Sequence, residues 1–459
     1  MNFRKLAIAN AIAVCAALIA YGLSLRQISA ETGAGLEVFA PEKVLIENSV
    51  TSNYQLSDGN EVSDAMNSWP CLNGPNSDGS APGIDLHLPW PADGPPVAWR
   101  IPCGAGYSSP VGSDGRVVMF LRQGDEEMLQ CLDLETGKEI WSYQYPTQFK
   151  CGSTYTNGPY STPSIDDGRV YSIGAEGKMN CVSLMDGSVH WQRDLQTEFD
   201  IPPRTFGVGH SPTVWNDAVI VNVGGKTATS GIVAFDKRSG EQLWQATDFG
   251  ASYASPRIST IHGHDYLYVL TEQALVGLEP KDGSVLWSIP FKSAVPDGEN
   301  ASTPLVYGDL LLACSYGTGS ICLQIDEAGM YKKIWESRRQ LTSQYTSLLC
   351  KDGYVFGIHT DFSLRCLNLA TGEVQWRKKN DLLRSNQCLV GDNLLMIGEH
   401  GHLAVVKADA KEFKCLIQTK EPVLNVEGHM FQSPAIFSGK LLIRSEHELV
   451  CFDLRGEQN

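Results

Sequence analysis

Beyond about residue 96 the chain alternates short apolar runs, such as Val117–Leu121 and Leu267–Leu270, with polar turns that contain glycine. Runs this short, rich in β-branched and aromatic residues and closed by turn residues, predict strands rather than helices. One pattern then recurs. Cys131–Trp141 (CLDLETGKEIW) returns as Cys181–Trp191, Ala234–Trp244, Gly277–Trp287 and Cys366–Trp376, with Cys322–Trp335 as a stretched copy. Each copy predicts a strand, a glycine turn and a second strand entered near the Trp. The closing tryptophans, at 141, 191, 244, 287, 335 and 376, stand 41 to 53 residues apart. An all-β repeat of that length predicts a β-propeller with one four-stranded antiparallel blade per repeat.

The order inside a repeat is regular. A Ser-Pro or Thr-Pro step opens the innermost strand at Ser109, Thr162, Ser211, Ser255, Thr303 and Ser433, and a tight turn follows, often Asp-Gly as at Asp114-Gly115. Six blades end on the tryptophans above. A seventh, Trp-less copy spans about 385–417, and an eighth opens at Ser433-Pro434 but stops after Leu454 without its Trp strand. Trp99 has the converse defect, lying in a strand with no repeat before it. The N-terminal strand therefore completes the last blade and hides the free edge. Eight blades are expected over residues 96–455, or seven if 385–417 is an insertion; residues 456–459 are a tail. Residues 31–95 read as a polar spacer followed by a Pro- and Gly-rich lead-in over one face of the disc.

Composition narrows the partners. A net charge of −16, with no basic run beyond the first residues, excludes nucleic acid as an expected ligand. Arg4 and Lys5 precede an apolar stretch to about Leu25, which predicts a signal peptide or signal anchor over residues 1–30. The propeller is then exported, periplasmic or held on the outward face of a membrane, and monomeric. Of 13 cysteines, Cys131, Cys181, Cys322, Cys366 and Cys451 occupy a slot that takes Ala234 and Gly277 in other blades, which marks a small buried position. Cys71, Cys103 and Cys151 fall outside that slot and are the disulfide candidates. There is no C-x-x-C motif, nucleophile elbow, zincin helix or phosphate loop.

The repeat, a small residue followed by Thr/Ser/Asp-Gly, a Trp and then a Ser/Thr-Pro strand, resembles that of the pyrroloquinoline-quinone (PQQ) enzymes and their non-enzymatic relatives of the outer-membrane assembly type. The resemblance covers about residues 97–455. It implies that Trp99, Trp141, Trp191, Trp244, Trp287, Trp335 and Trp376 dock each blade on the next through the indole N–H. The enzymes of that family also carry a calcium ion, a carboxylate or His base, basic residues at the quinone and commonly an adjacent Cys pair. No two cysteines are adjacent here, and the repeats leave no room for long insertions.

A candidate ligand funnel forms where the repeats converge. Two residues before the Ser/Thr-Pro step stand Tyr107, Tyr160, Tyr253 and Phe431, with Tyr345 equivalent in the sixth repeat. His210, Glu299, Asn300, Arg204 and His429 lie nearby, as does Glu427. His210 is the candidate base, and Glu299 with Asn300 are candidate calcium ligands, against the alternative that the aromatics only plug the channel. Three functions follow. The favoured one is a non-catalytic propeller that binds a protein or cell-envelope partner and needs no cofactor. The others are a PQQ- and calcium-dependent oxidoreductase, and a small-molecule or glycan-binding propeller.

Overall fold

In a computed structural model, residues 66–295, 299–379 and 381–456 are described. The expected leader at 1–30 and the spacer up to residue 65 lie outside the described residues, as do 457–459 of the tail. The described strands form eight sheets. Seven are runs of four consecutive antiparallel strands: blade 1 over 111–146, blade 2 over 164–194, blade 3 over 213–246, blade 4 over 257–290, blade 5 over 305–337, blade 6 over 349–379 and blade 7 over 385–418. Blade 8 takes three strands from 435–453 and its fourth from Val97–Pro102. The innermost strands of neighbouring blades face one another around a central channel. The chain is an eight-bladed propeller, and the Trp-less 385–418 segment is a blade rather than an insertion.

The small-slot residue owes its size to the Trp that faces it. Cys131 pairs with Trp141, Cys181 with Trp191, Cys366 with Trp376 and Cys451 with Trp99, each beside a β-bulge. At Gly277 an added Cβ would collide with the Trp287 indole. The Trp then reaches across to the next blade. Its N–H donates to a backbone carbonyl there: Trp99 to Leu134 at 2.8 Å, Trp141 to Leu184 at 2.9 Å, Trp191 to Lys237 at 3.1 Å. Trp244, Trp287, Trp335 and Trp376 make the same bond at 2.7–3.1 Å. The turn glycine of the next blade lies flat on the ring. Gly187 sits at φ +73° where a Cβ would come within 2.7 Å of Trp141, so the turn needs glycine for its conformation and for the close approach.

Closure is reinforced beyond the Trp99 strand. Arg444 is fully buried and donates to the carbonyls of Phe120 and Gly104 at 2.8 Å and of Ser108 at 3.2 Å, tying blade 8 to blade 1. Buried Lys440 pairs with Asp453 at 2.9 Å and with Glu135 of blade 1 at 3.3 Å. The disulfide expectation is corrected: all twelve described cysteines are free. Cys71 sits in the lead-in with its Sγ on the Gly74 carbonyl, Cys103 on the closing strand's exit beside His447, and Cys151 near the Tyr160 hydroxyl, three separate places.

The lead-in does more than cover a face. Trp69 exchanges two backbone bonds with Gly112, Ile165 N–H donates to the Pro70 carbonyl, and Ser80–Ala81 pair in parallel with the inner strand of blade 7. Arg257 of blade 4 donates to the carbonyls of Asn76 and Ser77. These contacts lie toward the hairpin-turn end of the inner strands, so the segment plugs the channel from that end.

Candidate functional site

At the other end the channel opens into a cup of about 350 Å³. Its wall is built from two columns of the repeat. In one column are the hydroxyl residues that open the inner strands, and they also bind the blades together. The Ser109 N–H donates to Thr162 Oγ1 at 2.9 Å, Thr162 to Ser211 Oγ at 3.0 Å, and Ser211 to Ser255 Oγ at 3.0 Å. Ser255 N–H continues to Thr303 Oγ1 at 3.2 Å, and Ser433 N–H closes onto Ser109 Oγ at 2.8 Å. The other column, two residues earlier, supplies Tyr107, Tyr160, Tyr253, Tyr345 and Phe431, all lining the cup. Blade 3 has Gly209 in that column and blade 5 has Ala301. The Tyr253 ring fills the space a side chain at Gly209 would take. Leu72 of the plug reaches the cup from below.

The rings hold one another edge to face. Tyr107 meets Phe431 at 4.8 Å and 85°, and Tyr160 at 5.3 Å and 86°, while Tyr345 meets Phe431 at 4.6 Å and 79°. Such T-shaped pairs set the positive edge of one ring on the negative face of the next and fix the wall's geometry. Tyr253 donates its hydroxyl to the Gly207 carbonyl at 2.8 Å, and Tyr160 to that of Thr156 at 2.9 Å. Burial pushes both phenols well above their ordinary range, so they stay neutral. Three further rings join the lining: Tyr316 from the blade 5 hairpin, and Tyr155 and Phe206, which stand 5.5 Å apart. Tyr155 and Phe206 come from inter-blade connections that do not repeat, so no column of the alignment points to them.

Five of the sequence candidates stand elsewhere. His210 is 2% exposed, and neither ring nitrogen has a hydrogen-bond partner. Burial holds its pKa down at about 3, so the ring is neutral. It occupies the position just before the hydroxyl column, whose other occupants, among them Ser108, Ser161, Ala254 and Gln432, are all buried. Strand alternation turns that column away from the channel. Asn300 is also buried, and its amide is spent inside the fold. It donates to the carbonyls of Thr271 at 2.8 Å and Phe291 at 3.1 Å and accepts from Ser315 Oγ at 2.5 Å, so it is no calcium ligand. Arg204 Nη2 bonds to the Ala251 carbonyl at 2.6 Å. His429 stacks on Phe431 from outside the lining, 5.6 Å away and 18° from parallel, with Nδ1 2.7 Å from Glu399. Glu427 is exposed, with an oxygen 3.7 Å from His447. Glu299 does line the cup, half-buried.

The family model described as outer membrane protein assembly factor BamB matches residues 148–378, just over half of the chain. The outer membrane protein assembly factor BamB of Moranella endobia (strain PCIT) is 20% identical over 255 residues. That match spans 53% of this chain and 62% of the relative, less than two thirds of its length. Among solved structures, BamB from Moraxella catarrhalis superposes with a TM-score of 0.57 at 16% identity, over 78% of this chain and 99% of that one. The quinohemoprotein alcohol dehydrogenase from Comamonas testosteroni superposes at 0.62 with 12% identity, over 88% of this chain and 83% of that one. At such identities these two superpositions speak to the fold alone.

Proposed function

Since the chain belongs to the outer membrane protein assembly factor BamB family of PQQ-like propellers, we propose that it is a non-catalytic binding module of the cell envelope. Its partner is a protein of the outer-membrane assembly machinery. It engages that partner from the exported side of a membrane, with the aromatic cup as the contact that gives affinity. The cup carries the reading: a rigid ring of neutral phenols and phenyls over a plugged channel, with no described pair of groups suited to proton transfer. Rigid aromatic surface of this kind supplies contact area at low cost in side-chain entropy.

The enzymatic alternative does not fit the lining. PQQ is a tricarboxylate, and its burial calls for cationic or metal partners. Among the described lining residues there is no Lys, Arg or His, and the one charged group, Glu299, is itself an anion. Nor do the described residues gather three or more His, Cys, Asp or Glu side chains about a point that could hold a metal ion.

Affinity capture from envelope fractions with the full chain, read by mass spectrometry, tests the proposal beside a Tyr160→Ala/Tyr253→Ala variant of unchanged melting temperature. Outer-membrane assembly components should be retained by the wild type and lost, by about tenfold or more, by the variant. Calcium-dependent micromolar binding of PQQ with dye-linked alcohol oxidation would overturn the reading. So would capture of those components undiminished in the variant.

A further inference from the structure

The charge of the cup is one-sided in a way that partner binding alone leaves unexplained. Glu299 lies on its wall beside Ala301, which with Gly209 and Arg384 is one of the three places in the aromatic column that supply no ring. Burial raises the Glu299 carboxyl above its ordinary range, Arg204 opposes this, and Glu272 adds to it. The cations nearest the cup are engaged elsewhere. Arg204 is tied to the Ala251 carbonyl and lies 3.9 Å from Glu272. Arg384, which holds blade 7's place in the aromatic column, turns out of the cup to Glu399 at 2.9 Å and over the Phe362 ring. Five hydroxyls of the other column already accept in the inter-blade ring, and Ser347 donates to Asn73 at 2.8 Å.

From this arrangement we propose that the cup is a recognition site for an organic cation, an alkylammonium or guanidinium group set against the aromatic wall with Glu299 as its counter-charge. The inference deepens the reading of the cup as a binding site and names the chemistry it selects. Aromatic faces carry the negative lobe of the ring quadrupole, and attract cations most strongly where water is excluded. A cup closed below by Leu72 excludes water on that side. The wall offers eight rings, where a cation needs only a few. At about 350 Å³ the space lies at the lower end of ligand-pocket volumes and suits one head group rather than a cofactor. An anion would meet Glu299 and the ring faces with no cation among the described lining residues.

The cation can arrive as a free amine or as an Arg or Lys side chain of a polypeptide, and the two sources are separable. Calorimetric titration of the full chain would use choline and its neutral isostere 3,3-dimethylbutanol, then agmatine, and a Gly-Arg-Gly peptide against its citrulline counterpart. The cations should bind at least about tenfold more tightly than their neutral isosteres, a ratio set by one cation–π and carboxylate site. Glu299→Gln should lose about fivefold or more for cations while leaving the isosteres unchanged. A Gly-Arg-Gly affinity well above that of agmatine assigns the site to a polypeptide, and the reverse assigns it to a free amine. Equal binding of cation and isostere, or no heat with any cation from protein whose melting temperature is normal, overturns the inference. A choline excess that leaves partner capture intact, with Glu299→Gln also silent, overturns it while sparing the protein-binding role. Loss of capture in wild type without competitor bears only on that role.

Discussion

Replacing Trp141 by alanine isolates the bond that makes eight sheets one object. The indole is 7% exposed, lies on Cys131 within its own sheet, is covered by Gly187 of blade 2, and donates to the Leu184 carbonyl at 2.9 Å. A buried Trp covers about 200 Å² of apolar surface, worth about 5 kcal/mol at 25 cal/mol per Å², of which the alanine methyl keeps a small part. The lost N–H leaves a carbonyl short of a donor, adding about 1 kcal/mol, while relaxation of the gap gives some back. About 4 kcal/mol of destabilisation is expected, and about 2 kcal/mol for Trp141→Phe, which keeps most of the area. Equilibrium urea unfolding followed by fluorescence measures both. Trp244 docks a different pair of blades, so the two alanine variants should add within about 0.5 kcal/mol, because a circular repeat array sums nearest-neighbour interfaces. A loss below about 1 kcal/mol for Trp141→Ala would refute the docking role, and strong non-additivity would refute the nearest-neighbour picture.

Two further outcomes follow from closure. Removing residues 1–105 takes away both the strand Val97–Pro102 and the plug, leaving the edge of Glu448–Asp453 unpaired and Arg444 without the Gly104 carbonyl; size-exclusion chromatography should show aggregate, and a monomer with unchanged unfolding would refute the closure. The second is a pH effect. The Arg455 guanidinium, with the buried Lys440 ammonium behind it, holds the Asp453 carboxyl well below the usual carboxylate range. A depressed acid stabilises the fold above its unfolded-state pKa of about 4 and loses that contribution as pH falls below it. Melting temperature should therefore drop from pH 5 to pH 2 more steeply in the wild type than in Asp453→Asn; parallel curves would show that this pair contributes nothing.

How much of this was legible beforehand depends on whether a residue repeats. The tryptophans, the small slot and the Ser/Thr-Pro steps recur in most blades, and the orphan Trp99 against the truncated last repeat predicted the closing strand. Tyr155 and Phe206 stand in connections of unequal length, with no counterpart to align. Arg444 ends a strand reading Lys-Leu-Leu-Ile-Arg, where a terminal charge reads as solvent-facing; only the fold places it against four carbonyls of the first blade and its approach. His210 was misplaced by a single residue. The column it shares with Ser108, Ser161, Ala254, Ser302, Thr346 and Gln432 holds small or neutral groups, and a neutral buried column beside a lining column is what strand alternation demands.

The same logic locates function on a scaffold whose symmetry is structural. Where most blades agree, the agreed residue serves the fold: the Trp, the facing small residue, the turn glycine. The hydroxyl column is mixed, since five of its hydroxyls accept the inter-blade bonds and that of Ser347 instead holds the plug. The aromatic column departs from uniformity at three blades, and each departure has a local consequence. Gly209 admits the Tyr253 ring, Arg384 leaves the cup for Glu399, and Ala301 opens the wall beside Glu299. A channel meant only to be plugged would be served by a ring at every blade. Two departures remove side-chain bulk and the third takes positive charge out of the cup, so the described lining is left with one carboxylate among its rings. The proposed reading of the cup as a polarised receptor rather than a stopper is therefore tested by substitution at Glu299, which makes none of the described blade-interface bonds.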